Sequence, residues 1–187
     1  MAHITDELGV DITTEDGYIL ITEPVSIRAS ILDAIVDALE GITQANGYNV
    51  DVNYVSTQFN VEHPDKIDKK DLPACFPLDD IEQKEGFAFF ADSTTNKDTK
   101  SILTIIVTSV VFDRTGATFD QRTSLMQDIE KAIVMDTTLF DVSNSTGLLT
   151  EPAMPVSVET DKGYFENYSI FDQTFACEYV YNHSTGG

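Results

Sequence analysis

The sequence predicts an α+β fold: a mostly antiparallel β-sheet with two amphipathic helices packed on one face. Three observations predict it. Apolar residues recur every four positions at Ile27, Ile31, Ile35 and Leu39, and again at helical spacing through Leu125, Met126, Ile129, Ala132 and Ile133. Runs rich in β-branched and aromatic residues outnumber those two stripes. Short polar links between such runs read as hairpins, hence antiparallel pairing, and helices that bury their stripes on such a sheet give an α+β layer.

In chain order, residues 1–25 carry Asp6, Glu7, Asp11, Glu15, Asp16 and Glu23 and no Lys or Arg, with a short strand pattern at Tyr18, Ile19, Leu20 and Ile21. They read as an acidic arm or an added edge strand, and the main domain as 26–182. The first helix runs from Ile27 to Glu40, with Ser26 as its N-cap and Gly41 as its stop. Asp33, Asp37 and Glu40 fall on its solvated side. Asn46 and Gly47 signal a turn. Residues 48–61 alternate as a strand, and 62–71 form a charged loop that contains His63 and Lys66. A short strand enters at Leu72 and Pro73, with Pro73 at its first position or on an edge. Residues 86–91 and 101–112 read as a hairpin whose polar link, including Thr95, Asn96, Lys97 and Asp98, extends beyond the body. The second helix covers about 119–135, led by Thr118 and Gln121 at capping-box spacing, with Arg122, Asp128 and Lys131 on its exposed face. Short strand patterns follow at 139–142 and 156–158, the latter an edge preceded by Pro152 and Pro155. The last strand, 164–181, puts Phe171, Phe175, Cys177, Tyr179 and Tyr181 on one face. Residues 183–187 read as a flexible tail.

Composition narrows the function classes. With 187 residues, 42% hydrophobic and 23% charged, the chain is globular and long enough to fold without disulfides or metal. No apolar run reaches membrane-spanning length, and the N-terminal residues lack a secretory pattern, so a reducing cytosol is expected. The net charge of −21 opposes binding to phosphate backbones or anionic membranes. It suits a soluble surface, a channel DNA slides past, a DNA mimic or a cation-binding surface.

Motifs that carry catalysis are absent: there is no GxSxG, P-loop, GxGxxG or HExxH. Cys75 and Cys177 stand alone in apolar stretches and read as buried free thiols. Asp79, Asp80, Glu82 and Glu85 could pair as acid and base or hold a hard cation, but they lack calcium-loop spacing and read as a solvated acidic loop. No catalytic, cofactor-binding or metal-ligating residue is assigned, and no cofactor is expected.

Residues 26–52, with their helix, Asn46–Gly47 turn and following strand, resemble the start of the phage tail-terminator and tail-completion proteins. The Leu72–Pro73 entry, the hairpin, Asp128–Ile129 and the Asp136-Thr-Thr-Leu139 helix end continue the likeness in order and spacing through about residue 182. The acidic arm and the long stretch 62–85 depart from that pattern. The resemblance implies a non-enzymatic virion protein, assembled in the host cytoplasm. It would form a ring of six copies that caps the tail tube and joins it to the neck or head. Its partners would be other copies of itself, the tube protein, neck or connector proteins and a sheath. DNA would pass the lumen without specific binding. Six copies would carry a charge of roughly −126, so assembly should be favoured by salt or divalent ions. Tyr18, Ile19, Leu20, Thr95, Asn96, Lys97 and Asp98 are the expected subunit-interface residues. A head-closure or connector subunit, an acidic DNA-mimic inhibitor and an enzyme centred on Asp79 and Asp80 are the alternatives.

Overall fold

The computed structural model describes residues 26–59, 66–84, 98–112, 118–161 and 167–182. The elements are α1 (Ile27–Glu40), β1 (Tyr54–Val55), β2 (Ala74–Lys84), β3 (Asp98–Phe112), α2 (Thr118–Met135), β4 (Met154–Thr160) and β5 (Tyr168–Asn182). They form a mixed five-stranded sheet in the order β1-β2-β3-β5-β4 together with two helices, an α+β architecture. β1 pairs parallel with β2, while β2–β3, β3–β5 and β4–β5 pair antiparallel.

α1 has the predicted bounds. Its stripe is buried: Ile31, Ile35 and Leu39 are fully enclosed. Ser26 serves as N-cap through its backbone, its carbonyl accepting from Ser30 N–H at 3.0 Å, with no side-chain cap. Gly41 stops the helix in a right-handed conformation. The left-handed turn comes later, at Gly47, with φ 83°. A second glycine is required by geometry: Gly147 has φ 144°, and a Cβ there would collide with the Leu139 carbonyl.

The core follows strand alternation. Leu103, Ile105 and Val107 of β3 and Phe171, Phe175, Cys177 and Tyr179 of β5 join the stripes of both helices in one buried cluster. Residues one step out of phase, Ala74, Phe76 and Val110, form a smaller cluster with Leu72, against which Phe59, Ile67, Phe112, Tyr168 and Ile170 pack. Phe59 and Phe76 meet edge-on at 4.9 Å between ring centres. The Leu72–Pro73 peptide is cis.

Several expectations change. Of the predicted strand 48–61, only Tyr54–Val55 pairs in the sheet among the described residues, and 60–61 lie outside them. The backbone before it is held elsewhere: Asn49 and Val50 N–H donate to the Asp128 carboxylate at 2.7 and 3.0 Å, Val52 N–H to Ile42 O and Asn53 N–H to Pro73 O. Asp128, expected on the exposed face of the second helix, is therefore buried, at 2% exposure. Arg122, expected beside it, is mostly covered as well, with 19% of its side chain exposed. The predicted short strand at 72–76 continues to Lys84, so Asp79, Asp80 and Glu82 lie in β2 and not in an acidic loop. The predicted strand 86–91 falls within 85–97, which lie outside the described residues; among the described residues 101–112 pair antiparallel with β2 and β5. Residues 139–142 contribute only an isolated bridge, Asp141 to Thr146. The last strand begins at Tyr168, the side chain of Tyr181 lies outside the described residues, and so do the arm and the tail.

Candidate functional site

Two ends of one sheet carry the chemistry. At one end lies β4, the terminal strand, whose outer edge no described strand pairs. Ala153, just before it, is buried, but all seven of its own residues are exposed. Met154, Val156 and Val158 are 61%, 59% and 50% exposed, unusual for three apolar side chains on one short strand. The register explains Val156. Pro155 faces Phe175 and Ser157 faces Thr174, so Val156 is the extra residue of a β-bulge and has no partner in β5. An open groove of about 140 Å³, lined by Pro155, Val156, Val158 and Phe175 among others, lies beside it. The inner side of β4 is anchored. Thr150 N–H donates to Glu178 O, and Asp161 N–H to Ile170 O, both at 2.9 Å. Arg122 of α2 donates to Ser169 Oγ at 3.1 Å, and Ser169 donates to Asp161 Oδ1 at 3.2 Å. The strand is held by β5 along its inner side and, among the described residues, is bare along its outer side.

Toward the other end, next to the two-residue β1, β2 carries Asp79 and Asp80, both exposed, and the half-buried Glu82. Asp79 and Glu82 are three residues apart, a spacing that puts side chains on opposite faces of a regular strand. A register shift between them undoes this: Asp79 lies opposite Ile105 and Glu82 opposite Leu103, two residues of the same β3 face. Both carboxylates then meet Arg28 in the first turn of α1. Its Nε donates to Asp79 at 2.5 Å, and its Nη1 lies 3.8 Å from Glu82. Glu82 also accepts from the hydroxyl of Tyr179 at 2.6 Å. Tyr179 is buried, and burial together with the Glu82 carboxylate pushes its phenol up to about 12. Ile81, inside the shift, is left 54% exposed.

The expected interface residues fall unevenly. Tyr18, Ile19, Leu20, Thr95, Asn96 and Lys97 lie outside the described residues. Asp98 is not at a loop tip: it opens β3, opposite Asn182. Lys100, also assigned to the link, is in β3 and pairs with Glu178 at 2.6 Å; that contact and the Thr150 hydroxyl hold the Glu178 carboxyl below its usual range. Asp79 and Asp80 are not brought together as an acid–base pair; Asp79 is brought to Arg28 beside Glu82. Arg28 carried no sequence signal, because its partners are 51 and more residues away. Met154 could have been found by extending the predicted edge by two residues.

Other groups are committed to structure. Cys75 and Cys177 are buried, and burial pushes both thiols up to about 12, too high for a nucleophilic thiolate at neutral pH. An open groove of about 360 Å³ between the ends of α1 and α2 is lined by Asp37, Tyr48, Met135 and Asp136 among others. Asp136 there accepts from Thr138 and Leu139 N–H at 2.8 and 2.9 Å. Among the described residues, no three His, Cys, Asp or Glu side chains converge on a metal position, and no helix is long and apolar enough to cross a membrane. What the arrangement can do is bind: a bare strand edge flanked by exposed apolar side chains is a template for another strand. No protein-family model matches the chain, and no curated protein matches it.

Proposed function

We propose that this chain is a structural subunit that assembles with copies of itself into a ring. The ring would end a phage tail tube and join it to the neck, with no catalysis and with DNA passing a channel. In this reading the sheet is mostly antiparallel, both helices cover one face, and the edges face neighbouring copies. The observation that carries it is β4, an edge strand with Met154, Val156 and Val158 exposed. The order of elements and the charge of −21, which repels DNA phosphate, support it further. A head-closure or connector subunit would use the same edge, and the position of the chain in a particle separates the two. The described acids weigh against a DNA mimic: Asp128 is buried, and Asp79, Glu82 and Glu178 are engaged by cations, leaving a scattered remainder.

Particle mass and negative-stain imaging test the reading, in low salt and again with millimolar magnesium. Rings of about six copies with a central hole, favoured by magnesium because it screens like charge, are the expected result. A monomer under every condition overturns self-assembly.

A further inference from the structure

The edge of β4 has a fitting occupant in the chain itself. We infer that residues 18–21 of a second copy add to the outer edge of β4 as an extra strand, a contact that rests on the ring reading above. The acceptor is a bare strand edge with Met154, Val156 and Val158 exposed beside it. The donor is the sole apolar run in residues 1–25, which lie outside the described residues: Tyr18, Ile19, Leu20 and Ile21, bounded by Gly17 and Pro24. Four residues of strand span roughly 13 Å, within the length of the seven-residue β4.

Geometry selects a second copy over the same one. The arm joins α1 at Ser26, and the first turn of α1 is pinned to β2 by Arg28 on Asp79 at 2.5 Å. β2 is separated from β4 by β3 and β5. Three strand spacings, plus one more to lie outside β4, make roughly 19 Å at about 4.8 Å each. Residue 21 is five residues from residue 26, a reach of roughly 17 Å. Ser26, where the arm begins, thus lies nearer β2 than β4, and the outer edge of its own β4 is at or past that reach. In a head-to-tail ring the β2 side of one copy faces the β4 side of the next, and the arm crosses that joint. The charges have the wrong sign for electrostatic docking. The arm holds six acids and no base, and β4 carries Glu159. Main-chain pairing and apolar contact must carry the strand, so salt strengthens the contact.

Cysteine trapping tests this in the full-length chain. The native Cys75 and Cys177 are buried, and the wild-type chain serves as the control. Leu20→Cys and Val158→Cys chains, purified apart, are mixed in millimolar magnesium and oxidised; Ile19→Cys with Met154→Cys supplies a second register. The expected product is a linked species of twice the monomer mass that needs both variants. The double variant Leu20→Cys/Val158→Cys should give a ladder of multiples. Self-linkage of Val158→Cys, meaning β4 paired on β4, overturns the inference. So does an internal link at monomer mass, meaning that the chain's own arm covers the edge, or no link in either register. Rings that persist unchanged after deletion of residues 1–25 also overturn it, and leave the ring reading standing. Monomers throughout remove both.

Discussion

The two ends of this sheet both contain a shifted register, and they use it in opposite ways. On β2 the shift swings Asp79 and Glu82 onto one face, where Arg28 and the Tyr179 hydroxyl receive them. On β4 the shift leaves Val156 unpaired and exposed. The first end gathers charge within the subunit and leaves Ile81 exposed beside it. The second carries no described cover. The two sides differ in kind, a carboxylate–arginine cluster beside exposed Ile81 on one and a strand with all residues exposed on the other, and unlike sides are what a head-to-tail ring needs and a closed dimer does not.

The comparison breaks if β4 is secretly part of the core. Phe175 of β5 is fully buried, and Val158 is 50% exposed. Phe175→Ala should cost about 3–5 kcal/mol of unfolding free energy, and Val158→Ala under about 0.5 kcal/mol, both read by denaturant unfolding of the monomer in low salt. Similar costs would mean that β4 is covered.

Asp128→Ala tests how polar groups hold the region beside β1. Its carboxylate accepts from Asn49 N–H, Asn49 Nδ2 and Val50 N–H at 2.7, 2.7 and 3.0 Å. Removing it orphans three donors, and we expect a loss of about 2–4 kcal/mol. Asp128→Asn should recover part of this, since an amide oxygen still accepts. A loss below about 1 kcal/mol would show that the 48–53 segment does not depend on α2.

These two cases also show what was legible in the sequence. The stripe of α1 is local and apolar, so it announced both helix ends, and α2 follows the same logic. Residues 48–53 alternate like a strand, yet the N–H groups of Asn49 and Val50 go to a carboxylate 79 and 78 residues on and that of Asn53 to the Pro73 carbonyl, which no local pattern encodes. The second half of β2 read as a loop because Asp79, Asp80 and Glu82 interrupt its apolar pattern, and the Arg28 and Tyr179 groups that meet Asp79 and Glu82 are distant in sequence. The exposed edge was partly legible, since Pro152, Pro155 and the alternation at 156–158 marked it, but neither register shift leaves a mark in composition.

Alkaline pH sharpens the contrast at the β2 end. Tyr179, Cys75 and Cys177 hold their protons up to about 12 in the fold, against ordinary values of 10 and 9. The unfolded chain therefore gives up these protons first. The stability they contribute is complete below pH 9 and drains away between pH 9 and 12. Thermal unfolding across that range should show the fall. Tyr179→Phe should flatten it above pH 10 while costing about 1 kcal/mol at neutral pH, the net worth of its bond to Glu82. An unchanged slope would mean that the phenol is not the titrating group.

The smallest expected effect on stability bears most directly on function. Val156→Ser removes an exposed side chain that pairs with nothing in β5. The monomer should change by less than about 0.5 kcal/mol. In magnesium, the same variant should assemble more weakly, because the lost methyl groups would be buried only against a neighbour, at roughly 25 cal/mol per Å² of apolar area and once at every joint of the ring. Sedimentation in magnesium checks this against Arg28→Ala, which loosens the opposite edge. If Val156→Ser assembles as well as the wild type, the apolar edge is an ordinary exposed strand. If it assembles poorly while its unfolding curve is unchanged, the exposure of β4 belongs to the assembly and not to the fold.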